Sequence, residues 1–403
     1  MSNSYIKHVF FDAKSTGHHG EFLENIISGL SEEDSTDSLI VCNFLLFDRL
    51  NQCKLSCSSK IKIMPIETDE MAFIESAKNQ IQRGNRELKV LKSYLSDSGA
   101  KSLVLMDMNI HQLALSSWKY SRENPISISG ILFNPLTPPK RKALENNSIN
   151  SYLTHLRKKL QIFLLLRNKS IKSVFILNDR DAVDYMNSWS FSRNVFRFLI
   201  DPIPVGMREI QVLSKKPKLN SHFRFIMTGA MSPRKGCLEV IKALNKANFP
   251  NGTKVSLKLM GAFSKEYPEY EELLLSEIEA LKLARMDVQV KLKNEFITNE
   301  AFCQEISNSD CVLAPYIGFF GSSGMIGHAC RYEKPLLVSS KGLIGEIVRE
   351  SKLGICVDPQ NLEELSISLE NMVSFNFEYS KLNAKEYFKN ASHFKFAQNL
   401  TVK

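Results

Sequence analysis

No stretch of this 403-residue chain reaches the roughly 18 uninterrupted apolar residues that a membrane-crossing helix needs. A chain built from spanning helices is thereby excluded, and with 43% hydrophobic and 24% charged residues the composition is that of an ordinary globular protein. The eight cysteines (Cys42, Cys53, Cys57, Cys237, Cys303, Cys311, Cys330 and Cys356) lack metal-site spacing. Cys53 and Cys57 are four apart, but no second Cys/His pair accompanies them. The expectation is reduced packing thiols, with no metal held by side chains and no cofactor. The opening MSNSYIKHVFFDAKS has no cationic segment followed by an apolar run, so a soluble, cytoplasmic protein is expected.

What is present begins with charge. The net charge is +9, and the window Lys140–Lys172 holds nine Lys/Arg against one acid, Glu145. Its second half, INSYLTHLRKKLQIFLLLRNKSIK, sets Leu153, Leu160, Phe163, Leu164 and Leu166 among the cations and predicts a basic amphipathic helix. Such a helix either packs on its own domain with a solvated face or touches an anionic membrane at the inner face. No aromatic-basic recognition motif accompanies it, so no nucleic-acid partner is expected.

At this length two domains of about 150–200 residues are expected. Short apolar runs recur at residues 8–13, 38–47, 60–66, 102–108, 128–134 and 173–179, with helical patterns between them, notably the charged stretch 70–97. A second series follows at 223–229, 254–261, 288–294, 311–316, 335–340 and 354–359. The alternation predicts an α/β protein with two Rossmann-like, doubly wound domains facing across a cleft. The Pro- and Lys-rich stretch between the series reads as a linker. The expected divisions are 1–205, a linker at 206–222, a second domain at 223–375 and a helical segment at 376–403. Asp358 and Pro359 are expected to open a helix as N-cap and first helical residue.

Ligands of open parallel sheets bind beyond the carboxyl ends of the strands, which makes the loops there the candidate sites. YIGFFGSSGMIGHACRYEKPLLVSS (316–340) runs from a strand through glycines and serines into a helix; the N–H groups of Ser323, Gly324 and Met325 suit a diphosphate. A plain tight turn is the alternative. TGAMSPRKGCLEVIKAL (228–244) ends a strand at Gly229 and carries Arg234 and Lys235 before Gly236 opens a helix, a pairing able to neutralise phosphate. In the first half DAKSTGHHGEFLENIISGL (12–30) places Gly17, His18, His19 and Gly20 after the first strand, as candidates for acceptor binding. His18, His111 and Lys235 are the candidate catalytic residues.

Over 223–375 these segments resemble the retaining glycosyltransferases of the GT-B fold, family 4, with a looser likeness in the first half. Lys235 stands where that family has a basic residue on the donor diphosphate, and Ala230 stands where an arginine often follows the first glycine. ISNSDCVLAPYIGFFGSSGMIGHACRYEKPLLVSSKGLIGEIV (306–348) is similar to its nucleotide-sugar signature. The two glutamates usual there are replaced by Phe320 and His328. His328 can still hydrogen-bond a ribose hydroxyl, and Ser322 or Ser323 can stand in for the sugar contact. The resemblance implies transfer of a sugar, with retention, from a nucleotide-sugar donor to a glycan or lipid-linked saccharide during surface polysaccharide biosynthesis. The competing expectation is a catalytically degenerate fold-mate that binds a sugar nucleotide or glycan as a scaffold.

Overall fold

Runs such as HVFFD and SLIVC are apolar at every position because the strands they form are covered on both faces, the pattern that parallel sheets impose. The computed structural model describes residues 6–15, 19–33, 37–52, 58–119, 125–136, 149–205, 222–250 and 252–401. Outside them fall Gly17, His18, Cys53, Cys57, the basic residues 140–148 and the linker up to residue 221.

The chain divides into two compact units, Met1–Val205 with Ser392–Lys403, and Gly206–Ala391. The first holds β1 (His8–Asp12), β2 (Ser38–Cys42), β3 (Ile61–Pro65), β4 (Ser102–Leu105), β5 (Ser127–Ile131), β6 (Ile171–Leu177) and β7 (Phe196–Leu199), hydrogen-bonded in the order β3-β2-β1-β4-β5-β6-β7. The second holds β8 (His222–Thr228), β9 (Lys254–Met260), β10 (Val288–Lys293), β11 (Cys311–Ala314), β12 (Leu336–Ser339) and β13 (Gly354–Val357), in the order β10-β9-β8-β11-β12-β13. Every pairing within the two sheets is parallel. In each sheet the chain winds outward to one side and then restarts on the other, so the direction reverses between β1 and β4 and between β8 and β11. Crevices at such reversals are where doubly wound folds bind ligands.

In the first unit, α1 (His19–Glu33) and α2 (Phe44–Gln52) are followed by α3 (Thr68–Glu75), α4 (Gln80–Ser98), α5 (Gln112–Ser117), α6 (Ile149–Leu166) and α7 (Arg180–Asn187). The second has α8 (Cys237–Lys246), α9 (Pro268–Ala284), α10 (Asn299–Asn308), α11 (Met325–Arg331), α12 (Gly342–Glu350), α13 (Leu362–Val373) and α14 (Lys381–Asn390). The last helix, α15 (His393–Thr401), returns to the first unit, where Phe396 lies 5.5 Å from Phe22 of α1, ring to ring. The terminal segment 376–403 is thus two pieces: Ala384 of α14 packs in the second unit's core, whereas Phe396, Ala397 and Leu400 pack in the first.

Three local expectations shift. The apolar run 38–47 is not one strand: Asn43 accepts the Leu45 amide through its side chain at 2.9 Å and the Phe47 amide through its carbonyl at 3.0 Å, and so starts α2. The charged stretch 70–97 is two helices, α4 restarting where the Asn79 side chain accepts from the Gln82 amide at 2.9 Å. The helix expected at Asp358 begins three residues later, capped by Asn361, because Asp358 is engaged instead by Lys341 at 2.8 Å.

Candidate active site

In the second unit the reversal between β8 and β11 brings the two phosphate-compatible loops together. The loop after β8 passes through Gly229 (φ +98°) and a short 3-10 turn, Pro233–Lys235, into Gly236 (φ +74°). Gly236 is required twice over: its φ lies in the left-handed region, and a Cβ there would stand 2.4 Å from the Pro315 carbonyl oxygen. That close approach ties the turn to the loop after β11, as does the Ile317 amide donating to the Arg234 carbonyl at 2.9 Å.

The cations are oriented by aromatics. Lys235 Nζ donates to the Tyr316 hydroxyl at 3.2 Å and to the Thr228 carbonyl at 3.4 Å, and it sits 4.4 Å from the centre of the Tyr316 ring. The Arg234 guanidinium lies 5.2 Å from the Phe319 ring, which meets Tyr316 edge to face. Tyr316 Oη reaches Ser323 Oγ at 3.4 Å. Neither Arg234 nor Lys235 has a carboxylate partner among the described residues. The result is two positive charges, held in place and not neutralised.

Met325 opens α11, but its amide donates to Ser323 Oγ at 3.3 Å, so of the three expected amides only those of Ser323 and Gly324 lack a hydrogen-bond acceptor among the described residues. The structure therefore gathers Gly229, Arg234, Lys235, Ser323, Gly324 and Met325 at one place. His328 is 7% exposed, and its ring meets Phe302 edge to face at 4.8 Å. Cys237 follows the cation pair, but burial pushes its thiol up to about 12 against the opposing pull of Lys235, and no thiolate is on offer.

The matching reversal in the first unit is built differently. Asp12 ends β1 and Asp107 follows β4; both are buried. His19 Nδ1–H donates to Asp12 Oδ2 at 2.7 Å, and Lys14 pairs with Asp107. Burial raises the Asp12 carboxyl above its ordinary range, with the His19 contact opposing. His111 is 2% exposed: its Nδ1 lies 2.7 Å from the Asp107 carbonyl, and its Nε2 stands 2.9 Å from Glu87 Oε2 without hydrogen-bond geometry. Arg83 binds the other Glu87 oxygen at 2.8 Å. Gly20 lets Arg49 lie close over α1: a Cβ there would stand 2.8 Å from an Arg49 nitrogen and push that side chain aside, and Arg49 pairs with Glu24 at 2.7 Å.

Sequence reasoning missed Tyr316, Asp12, Lys14, Glu87 and Asp107. One signal was available, since Asp12 and Asp107 are acids directly beyond buried apolar runs at strand ends, where ligand-facing groups occur.

No family model matches the chain, and no curated protein matches it. Solved structures do, over nearly their whole length. HepE of Anabaena in complex with UDP superposes with a TM-score of 0.61 at 14% identity, covering 98% of this chain and 97% of that one. A glycosyltransferase of Rickettsia africae gives 0.58 at 15% identity, covering 99% and 96%. WaaG, a glycosyltransferase involved in lipopolysaccharide biosynthesis, gives 0.53 at 14% identity, covering 98% and 96%. With two doubly wound parallel sheets in succession, the chain has the GT-B fold.

Proposed function

We propose that this chain is a glycosyltransferase that moves a sugar, with retention, from a nucleotide-sugar donor to a glycan or lipid-linked saccharide, as in surface polysaccharide biosynthesis. The observation that carries the reading is the unneutralised pair Arg234 and Lys235 at the β8/β11 reversal, braced by Tyr316 and Phe319. HepE, of the same fold, has been solved with UDP bound, which supports a uridine nucleotide as the donor base. Positive charge fixed beside two backbone amides stabilises a departing nucleoside diphosphate most when its charge is greatest, in the transition state. The leaving phosphate can take the acceptor's proton, so the absence of glutamates at Phe320 and His328 leaves the step intact.

In the first unit His19 and Asp12 are the groups we assign to the acceptor. His111, buried with its Nδ1 on the Asp107 carbonyl, acts in this reading by holding the loop after β4 rather than by proton transfer. Along α6 the side chains of Leu153, Leu156, Leu160 and Phe163 are exposed, while Ile162, Leu165 and Leu166 face the core. With Arg157, Lys159, Arg167 and Lys169 nearby, that outer stripe is our assignment for peripheral contact with the cytoplasmic face of a membrane. Co-sedimentation with phosphatidylglycerol vesicles is expected to fall as salt rises; binding that ignores both lipid charge and salt removes the membrane assignment.

The test of the activity is incubation of the full chain with UDP- and GDP-sugars, measuring nucleoside diphosphate release with and without oligosaccharide or lipid-linked acceptor. Release stimulated by an acceptor is expected. Saturable binding with no release across the panel would instead identify a sugar-nucleotide-binding scaffold.

A further inference from the structure

The first sheet has a second polar region, at the end opposite Asp12 and Asp107. Strands β4, β5 and β6 read SLVL, SISGI and IKSVFIL. Serines alternate where a parallel sheet buried on both faces would carry Val, Ile or Leu. The register puts them side by side: Ser102 pairs with Ser127, and Ser129 pairs with both Val104 and Ser173. On this face the carboxyl halves of the strands supply Phe10, Val104, Ile131 and Phe175 to a core shared with α1 and α15. Their amino halves floor a cavity of about 890 Å³ with the four serine hydroxyls.

Around this floor stand Lys7, Lys101, Lys172 and Arg197, all exposed. No acidic residue lines the cavity, and none of the four cations has a carboxylate partner among the described residues. They come from β6, β7 and the residues just before β1 and β4, so the cationic rim crosses four strand intervals, roughly 19 Å. That is too wide for one phosphate and fits a ligand with several separated anionic groups.

We infer that this cavity is a second binding site, for an acidic oligosaccharide, at the amino ends of the first sheet's strands. An acyl chain would find apolar wall in Ile6, Phe198 and Leu400, but it would strip water from four hydroxyls without returning a hydrogen bond and would leave the four cations of the rim unanswered. A polynucleotide is disfavoured because the two aromatic rings at the cavity are covered: Phe175 is 4% exposed, and the Arg180 guanidinium lies 4.0 Å from the centre of the Phe198 ring. A sugar chain bearing carboxylates meets both demands, with hydroxyls on the serine row and charges on the rim. The volume is within the range of small-ligand sites. The site stands independently of the diphosphate site of the second unit, and a chain that never released nucleotide would still possess it.

The probe is hexagalacturonate, titrated into the full chain by calorimetry beside neutral maltohexaose, inorganic phosphate, a thymidine hexanucleotide and phosphatidylglycerol vesicles. Hexagalacturonate is expected to bind saturably, more weakly as salt rises, and without displacement by UDP. The double variant Lys101→Glu/Lys172→Glu, at exposed positions that leave the core intact, should weaken it tenfold or more. Ser129→Val/Ser173→Val should weaken it several-fold without lowering thermal stability, and Lys235→Ala should leave it unchanged. The proposal is overturned by no binding, by equal binding of maltohexaose, phosphate or the hexanucleotide, by displacement with UDP, or by unchanged affinity in the charge-reversed variant. Vesicle binding abolished by Lys101→Glu/Lys172→Glu would also overturn it, making the rim a lipid contact.

Discussion

The two chain reversals occupy equivalent places in their sheets yet treat charge in opposite ways. At β1/β4 the described side chains meet internal partners: Lys14 pairs with Asp107, Arg83 pairs with Glu87, and the imidazoles of His19 and His111 lie against Asp12 and Glu87. At β8/β11 the two cations are positioned by rings and a hydroxyl, and neither meets a carboxylate among the described residues. A closed set of ion pairs stiffens a loop and has little attraction left for an incoming charge. An open pair spends its field on whatever anion arrives. The contrast supports placing the donor diphosphate at the second unit's reversal rather than at the first unit's.

The sharpest way to break this contrast is to open the closed side. Glu87→Ala leaves the Arg83 guanidinium without its acceptor and the buried His111 ring without the carboxylate beside it, and should cost roughly 3–5 kcal/mol in denaturant unfolding. A loss below about 1 kcal/mol would show that water serves this network equally well. Emptying the open side comes next. Lys235→Ala should reduce donor affinity or turnover at least tenfold, about 2–4 kcal/mol in the transition state, with stability nearly unchanged. An unaltered donor titration would move the diphosphate elsewhere.

A subtler probe is pH. Because burial raises Asp12, the folded chain holds that proton to a higher pH than the unfolded one does. Its contribution to stability is complete below the unfolded value, near 3.9, and is lost as pH rises through the folded value. Asp12→Asn removes that loss, so its unfolding free energy relative to the native chain should climb as pH rises above the unfolded value. A flat difference would mean that the His19 contact offsets the burial. The smallest effect is expected at the surface. Lys341 holds the Asp358 carboxyl below its ordinary range, and that stability is present above the unfolded value and lost as pH falls through the folded one. The carboxylate is a third exposed, so Asp358→Asn should cost under about 1 kcal/mol at neutral pH and less in salt.

Both sheets were legible because a strand covered on two faces must be apolar along its length, and all six runs of the second series became strands. Where short-range hydrogen bonds compete with hydropathy, reading by pattern slipped. Asn43 cut an apolar run into strand and helix, and Asn361 took a cap from Asp358. β7 (FRFL) was passed over because four residues alternating with an arginine give too little signal. The Gly-Ser loop and the Arg-Lys turn were found by their composition, which is local. Tyr316, the group that links them, resembled one more apolar residue at the end of a strand.

By itself, then, the sequence determined where strands and helices form and which two loops carry glycine, serine and paired cations, since these depend on neighbours a few residues away. Only the tertiary structure decided which charges are cancelled. Lys14 meets Asp107 across 93 positions, His111 meets Glu87 across a helix, and the serines of three strands form one floor because parallel pairing sets them in register. A charge acts according to what lies within a few ångströms of it, and that distance is fixed by how the chain folds back on itself.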